Sequence, residues 1–180
     1  MKYLSTGFIL FLFFGFNYSK ASESKHQSTY QLIESILPGK SSQFIIGELK
    51  KRDSKDAFEL SGKNGKILIS GTSELAIAKG FGWYLNNYCH SRVSWYKDDR
   101  VVAPEVLPVV DTTVVQECRF EKRFFLNYCT FGYTMLWWQW NDWERFIDWM
   151  ALNGINMPLA ITGQEAVWME VWKSFGMTED

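Results

Sequence analysis

Apolar and polar positions recur along the chain with two periods, near 3.6 and near 2, and the period changes where turn residues intervene. Tyr30, Ile33, Ile36 and Leu37 share one helical face that Pro38-Gly39 should end, and the apolar run from Phe44 to Leu49 predicts a strand. Phe58-Glu59-Leu60 and Lys66 to Ser70 flank Asn64-Gly65, the pair that most readily takes the positive φ values of a tight hairpin turn. Thr72 or Ser73 can cap a following helix whose Leu75, Ala78, Gly82, Leu85 and Cys89 lie on one face. Ser91 to Tyr96 and Val101 to Val110 are two more strand candidates. Residues 22–112 therefore read as a small α/β domain. It contains no nucleophile elbow, phosphate loop or carboxylate pair, and Gly71-Thr72-Ser73 reads as an ordinary helix start, so this part is a scaffold.

From Val114 the pattern changes, with seven of the nine Trp falling between Trp137 and Trp172. Arg123 to Cys129 predicts a short strand, Trp140 to Asn153 a helix, Ile155 to Ile161 a second apolar segment, and Gly163 to Phe175 a second helix. In the first helix Asn141 and Glu144 have capping-box spacing, Trp143, Phe146, Ile147 and Met150 form the apolar stripe, and Asn153-Gly154 supplies a left-handed stop. Thr162 and Glu165 have the same box spacing ahead of Ala166, Met169 and Val171-Trp172. Strand, helix, strand, helix with short links begins a parallel α/β array, either a barrel or a doubly wound sheet. A closed barrel needs eight such units and about 250 residues. Residues 113–180 are accordingly expected to hold only its first units.

The N-terminus adds a compartment. Met1-Lys2 followed by the apolar run Gly7 to Phe16, with Ser19 and Ala21 at the positions a signal peptidase prefers, predicts a leader cleaved after Ala21 and an exported, periplasmic or extracellular product without stable membrane insertion. The run is too short for a span of about 20 apolar residues. Removing Lys2 and Lys20 with the leader takes two from the 19 basic residues against 20 acidic ones, which leaves a formal balance of −3. Such a balance favours neither nucleic acid nor a membrane surface as partner. With His26 and His90 the only histidines, and Cys89, Cys118 and Cys129 far apart, no metal or other cofactor is expected. The odd cysteine count leaves at least one thiol free, and Cys89 reads as core.

In a βα array the reactive groups gather at the carboxyl ends of the strands and in the loops after them. That places Asn127, Cys129, Thr130 and Tyr133 in one cluster and Thr162, Gly163, Gln164 and Glu165 in another. On a strand, Asn127 and Cys129 would point to the same side, where an amide can both donate to and accept from sugar hydroxyls and a small thiol leaves room for a ring. Glu165 is a candidate acid or base, although its spacing from Thr162 already explains it as a cap. Trp137, Trp138 and Trp140 could stack on a sugar face, whereas Trp143 and Trp149 read as core.

Several of these segments together resemble a known family. Arg123 to Thr130, Trp137-Trp138-Gln139-Trp140, Trp143 to Asn156, Pro158-Leu159-Ala160 and Gly163 to Trp168 look like the start of the catalytic barrel of glycoside hydrolase family 89, the alpha-N-acetylglucosaminidases. The order of elements before them is similar to the small α/β domain that precedes the barrel in hexosaminidase-like glycosidases. The resemblance implies a (β/α)8 TIM barrel, incomplete in this chain, and a retaining enzyme, lysosomal in animal cells, that removes terminal alpha-linked N-acetylglucosamine from glycans. It implies sugar contacts at Asn127 and Cys129, with Tyr133, Gln164 and Glu165 as further substrate-binding candidates. The two catalytic glutamates are expected on later strands, beyond Asp180. Phe124, Phe125 and Ile161 depart from the aromatic residues expected there. The reading from another class is a noncatalytic glycan-binding or interaction protein that uses the aromatic surface.

Overall fold

The computed structural model describes residues 25–50, 53–96, 101–160 and 163–178. The predicted leader and Thr162 lie outside them. The first helix, α1 (Gln27–Ile36), stops where Gly39 takes φ +76°, and β1 (Phe44–Glu48) follows. The hairpin forms as expected between β2 (Ala57–Lys63) and β3 (Lys66–Gly71), with Asn64 at φ +52° and Gly65 at φ +72°. Two successive positive φ values match the right-handed twist of the paired strands, which ordinary turns would splay.

The sheet order is β1-β3-β2-β4, with β4 at Val114–Glu117; β1 runs parallel to β3, and the other pairs are antiparallel. Phe58 and Leu60 on β2 and Ile67 and Ile69 on β3 point to one face, as a period of 2 requires, and all four are buried. Helix α2 (Glu74–Asn87) covers that face. Its Ser73 cap accepts the Ala76 N–H at 3.1 Å. Of the expected stripe Ala78, Leu85 and Cys89 are buried while Leu75 and Gly82 are only partly covered, and Ala76, Ile77, Phe81 and Tyr84 are buried beside them, so the buried face is broader than the stripe read in the sequence. Gly82 instead faces the second half of the chain.

Two expected strands are absent. Ser91–Tyr96 and Val101–Val110 are both coil with bends, because Pro104 and Pro108 remove ladder donors and β4 takes the free edge of β2 instead. The coil is nevertheless fixed: Leu107 and Val110 enter the core, and Tyr84 donates its hydroxyl to the Pro108 carbonyl at 2.7 Å. Burial pushes the Cys89 thiol up, in keeping with a core role.

The second half holds β5 (Phe124–Phe125), α3 (Trp140–Leu152), β6 (Met157–Pro158) and α4 (Gln164–Ser174), with β5 and β6 parallel. The strand expected over 123–129 is thus only two residues long. The capping box of α3 is made by Gln139 and Asp142 rather than by Asn141 and Glu144, the Asp142 carboxylate accepting the Gln139 backbone N–H at 2.9 Å. The helix ends as predicted. Gly154 takes φ +71°, and the Gly154 and Ile155 N–H groups each bond at 2.9 Å to the Ala151 and Met150 carbonyls, a Schellman stop. Phe146 and Met150 are buried with Met135 under Trp95, Trp138, Trp143 and Trp149, whereas Ile147, expected in the stripe, is 48% exposed.

One polar network joins the halves. The Asp56 carboxylate pairs with the Arg123 guanidinium, two largely buried side chains, and also accepts the Ser73 hydroxyl at 2.9 Å. Arg123 further donates to the carbonyls of Gly154 and Phe120, and its backbone N–H bonds the Asn156 side chain at 2.8 Å. The start of α2, the stop of α3 and the entry to β5 are thereby held at one point.

Candidate functional site

The parallel pairing of β5 with β6 brings both predicted clusters to the carboxyl ends of neighbouring strands. Their geometry differs from the expectation in one respect. Asn127 and Cys129 are not on a strand: the ladder stops at Phe125, and Tyr128–Gly132 forms a 3-10 turn capped by Asn127. The Asn127 Oδ1 accepts the Cys129 N–H at 3.0 Å and the Thr130 hydroxyl at 3.3 Å. An asparagine that can bond its own backbone two residues on competes with the ladder and ends it, which the period-2 reading overlooked. The same-side argument therefore fails for this pair. What remains is an amide whose Oδ1 is used locally and whose Nδ2 donates to nothing among the described residues.

Cys129 is an exposed free thiol, and Tyr133 is 79% exposed just after the turn. Gln164 and Glu165 open α4, whose N-cap is Gly163 at φ +91°, and both are exposed. The expected Thr162–Glu165 box falls partly outside the described residues. None of the hydrogen bonds among the described residues joins the two clusters. Trp137 is 81% exposed at this end, while Trp138 packs edge-on against Trp143 with ring centroids 4.9 Å apart.

Sequence reasoning passed over Asp148. This carboxyl sits in the groove between α1 and α3, 3.4 Å from the Ser35 hydroxyl, and burial, with Glu144 one turn away, pushes it above the usual carboxylate range. Its i, i+4 spacing from Glu144 was legible, but its burial depends on α1 crossing α3 there.

A small α/β domain leading into parallel βα units, with polar groups at the strand ends, defines an α/β protein whose candidate site is the carboxyl face of its strands. Residues 27–109 match the alpha-N-acetylglucosaminidase N-terminal domain, and residues 123–180 match the alpha-N-acetylglucosaminidase tim-barrel domain. A curated relative, the alpha-N-acetylglucosaminidase of Homo sapiens, is 35% identical over 146 residues, which cover 79% of this chain and 20% of that protein. Among solved structures, a Family 89 Glycoside Hydrolase from Clostridium perfringens in complex with 2-acetamido-1,2-dideoxynojirmycin is 34% identical at a TM-score of 0.77, covering 84% of this chain and 17% of that one. The same coverage and TM-score, at 35% identity, hold for the Clostridium perfringens enzyme with two glutamates replaced by glutamine, in complex with its substrate GlcNAc-alpha-1,4-galactose. The chain belongs to the alpha-N-acetylglucosaminidase family, glycoside hydrolase family 89, and spans about a fifth of the length of the human relative.

Proposed function

We propose that the chain forms the N-terminal domain and the first two βα units of an exported glycoside hydrolase that removes terminal alpha-linked N-acetylglucosamine from glycans with retention of configuration. The observation that carries this reading is the consecutive match of both family domains, supported by relatives about one-third identical that include an enzyme in complex with GlcNAc-alpha-1,4-galactose. A retaining mechanism needs two carboxyl groups about 5 Å apart, one as nucleophile and one as acid and base. That the substrate complex was obtained with two glutamates replaced by glutamine supports glutamates in both roles. In this chain Glu165 opens a helix on the carboxyl face, and no second carboxylate accompanies it among the described residues of the two clusters. The chain therefore contributes binding, and the acid-base pair belongs to later strands.

In this reading Asn127, Cys129 and Tyr133 border the non-reducing sugar, with Gln164 and Glu165 on the neighbouring loop. The Asn127 Nδ2 donors supply hydrogen bonds to hydroxyls, and the exposed Trp137 offers a ring face. The exposed apolar side chains of α4, Trp168 and Trp172 among them, and Phe175 just after it are covered by the next barrel units.

An assay with a chromogenic alpha-N-acetylglucosaminide tests the division of labour. The 180-residue chain should show no turnover, and a polypeptide carrying the remaining barrel strands should show turnover with retained anomeric configuration by NMR. Turnover by the short chain that Glu165→Gln abolishes would overturn the placement of the acid-base pair. A longer polypeptide that binds the glycan without cleaving it would favour the noncatalytic reading.

A further inference from the structure

We propose that the cleft between α2 and α3 is a binding site for an acidic sugar residue. The cleft encloses about 480 Å³, room for one or two sugar rings, and is lined by Lys79, Trp83, Asn86, Arg92, Trp149 and Asn153. Its floor is the close approach of Gly82 to Leu152, so it exists only because the two helices cross there.

Its electrostatics are unusual for this chain. The whole sequence has a formal charge of −1, yet among the described residues two cations and no carboxylate line the cleft. Neither cation has a carboxylate partner among the described residues. Lys79 donates to the Cys118 sulfur at 3.3 Å, and Arg92 donates through Nε to the Asn86 amide oxygen at 2.8 Å, which orients the guanidinium and leaves its terminal nitrogens for a ligand. A planar guanidinium takes a carboxylate or sulfate in two parallel bonds, and Lys79 adds a point charge. The two indoles supply the apolar half. Trp83 is held by Phe58 and Tyr88, and Trp149 by Phe125 and Phe146, so both rings are fixed before any ligand arrives. Sugar C–H groups stack on an indole face, and the Asn86 and Asn153 amides can meet hydroxyls. Trp149 and Asn153 stand at the carboxyl end of α3, whereas the Asn127 turn lies before its amino end, so occupancy here leaves the Asn127 turn open.

The test is an NMR titration of the indole N–H signals of the chain with glucuronate, glucose, inorganic sulfate and AMP. Glucuronate should shift the Trp83 and Trp149 signals saturably in the millimolar range, with glucose at least about tenfold weaker. Arg92→Gln should weaken glucuronate roughly tenfold at an unchanged melting temperature, Lys79→Gln should weaken it less, and added salt should weaken the unmodified chain. Equal responses to glucose and glucuronate, tighter binding of sulfate alone or of AMP, no saturable shift, or an affinity indifferent to both substitutions would each overturn the assignment. Because the readout is binding, its failure leaves the hydrolase reading untouched.

Discussion

Asn127 illustrates how one side chain can carry two roles that a single assay would confuse. Its Oδ1 caps the Tyr128–Gly132 turn, so Asn127→Ala should loosen that turn at a cost on the order of 1 kcal/mol. If Nδ2 also reaches the sugar, the same substitution in the longer enzyme should lower kcat/KM roughly tenfold to a hundredfold. Measuring melting temperature and kcat/KM on one preparation separates the two, and a lowered melting temperature with unchanged kinetics would remove Asn127 from the binding site. Asp148 makes a different prediction. Burial raises its folded-state value, so the protonated form is the better fit, and the stability it contributes is present at acidic pH and lost as pH rises through that raised value. Asp148→Asn keeps an oxygen for the Ser35 hydroxyl and removes the charge. The variant should melt higher than the parent at neutral pH, the gap closing as pH falls into the carboxylate range; a gap constant with pH would show that the charge is not what Asp148 costs. The sequence displayed both residues plainly, and it showed neither the cap nor the burial.

At the scale of elements, the hairpin, the α2 cap and the Schellman stop of α3 were all readable because each depends on a few consecutive residues. Asn64-Gly65, Ser73 and Gly154 impose their φ values or supply their hydrogen bonds whatever lies around them. The start of α3 at Trp140 was read correctly, but its cap was misread by two residues, since Gln139/Asp142 and Asn141/Glu144 share the same spacing and it is the Asp142 carboxylate that reaches back to the backbone N–H of the cap. The face of α2 was read only in part, because the helix is apolar on two sides, one for the sheet and one for α3. Gly82 belongs to the second side. An added methyl there would lie inside contact distance of the Leu152 carbonyl oxygen, which belongs to a backbone that cannot swing away. Gly82→Ala should therefore destabilise by about 1 to 3 kcal/mol in urea unfolding, although alanine is the better helix former. A stabilised variant would mean that the helices separate at little cost.

For the whole molecule, the joint between the halves rests on Asp56 and Arg123. Asp56→Ala would leave the Arg123 guanidinium without its carboxylate at a largely buried point, a loss of about 3 to 5 kcal/mol, while Asp56→Asn should cost less by keeping an acceptor for the Ser73 hydroxyl. Equal, small losses from both would show that the pair is solvated in practice. What the sequence determined by itself was local and periodic: the α/β succession of elements, the turns and caps, and, through an ungapped resemblance from Arg123 onward, the family. What only the tertiary structure decided was where elements end and what they face. Val101–Val110 stays coil because β4, from beyond the expected boundary, holds the edge of β2, and the strand after Arg123 stops at Phe125 because Asn127 turns its amide onto the backbone. Periodicity records which side of an element is apolar. It cannot record competition between distant segments for the same hydrogen-bonding edge, nor the pairing of an aspartate with an arginine 67 positions away, because those depend on contacts formed only when the chain closes on itself.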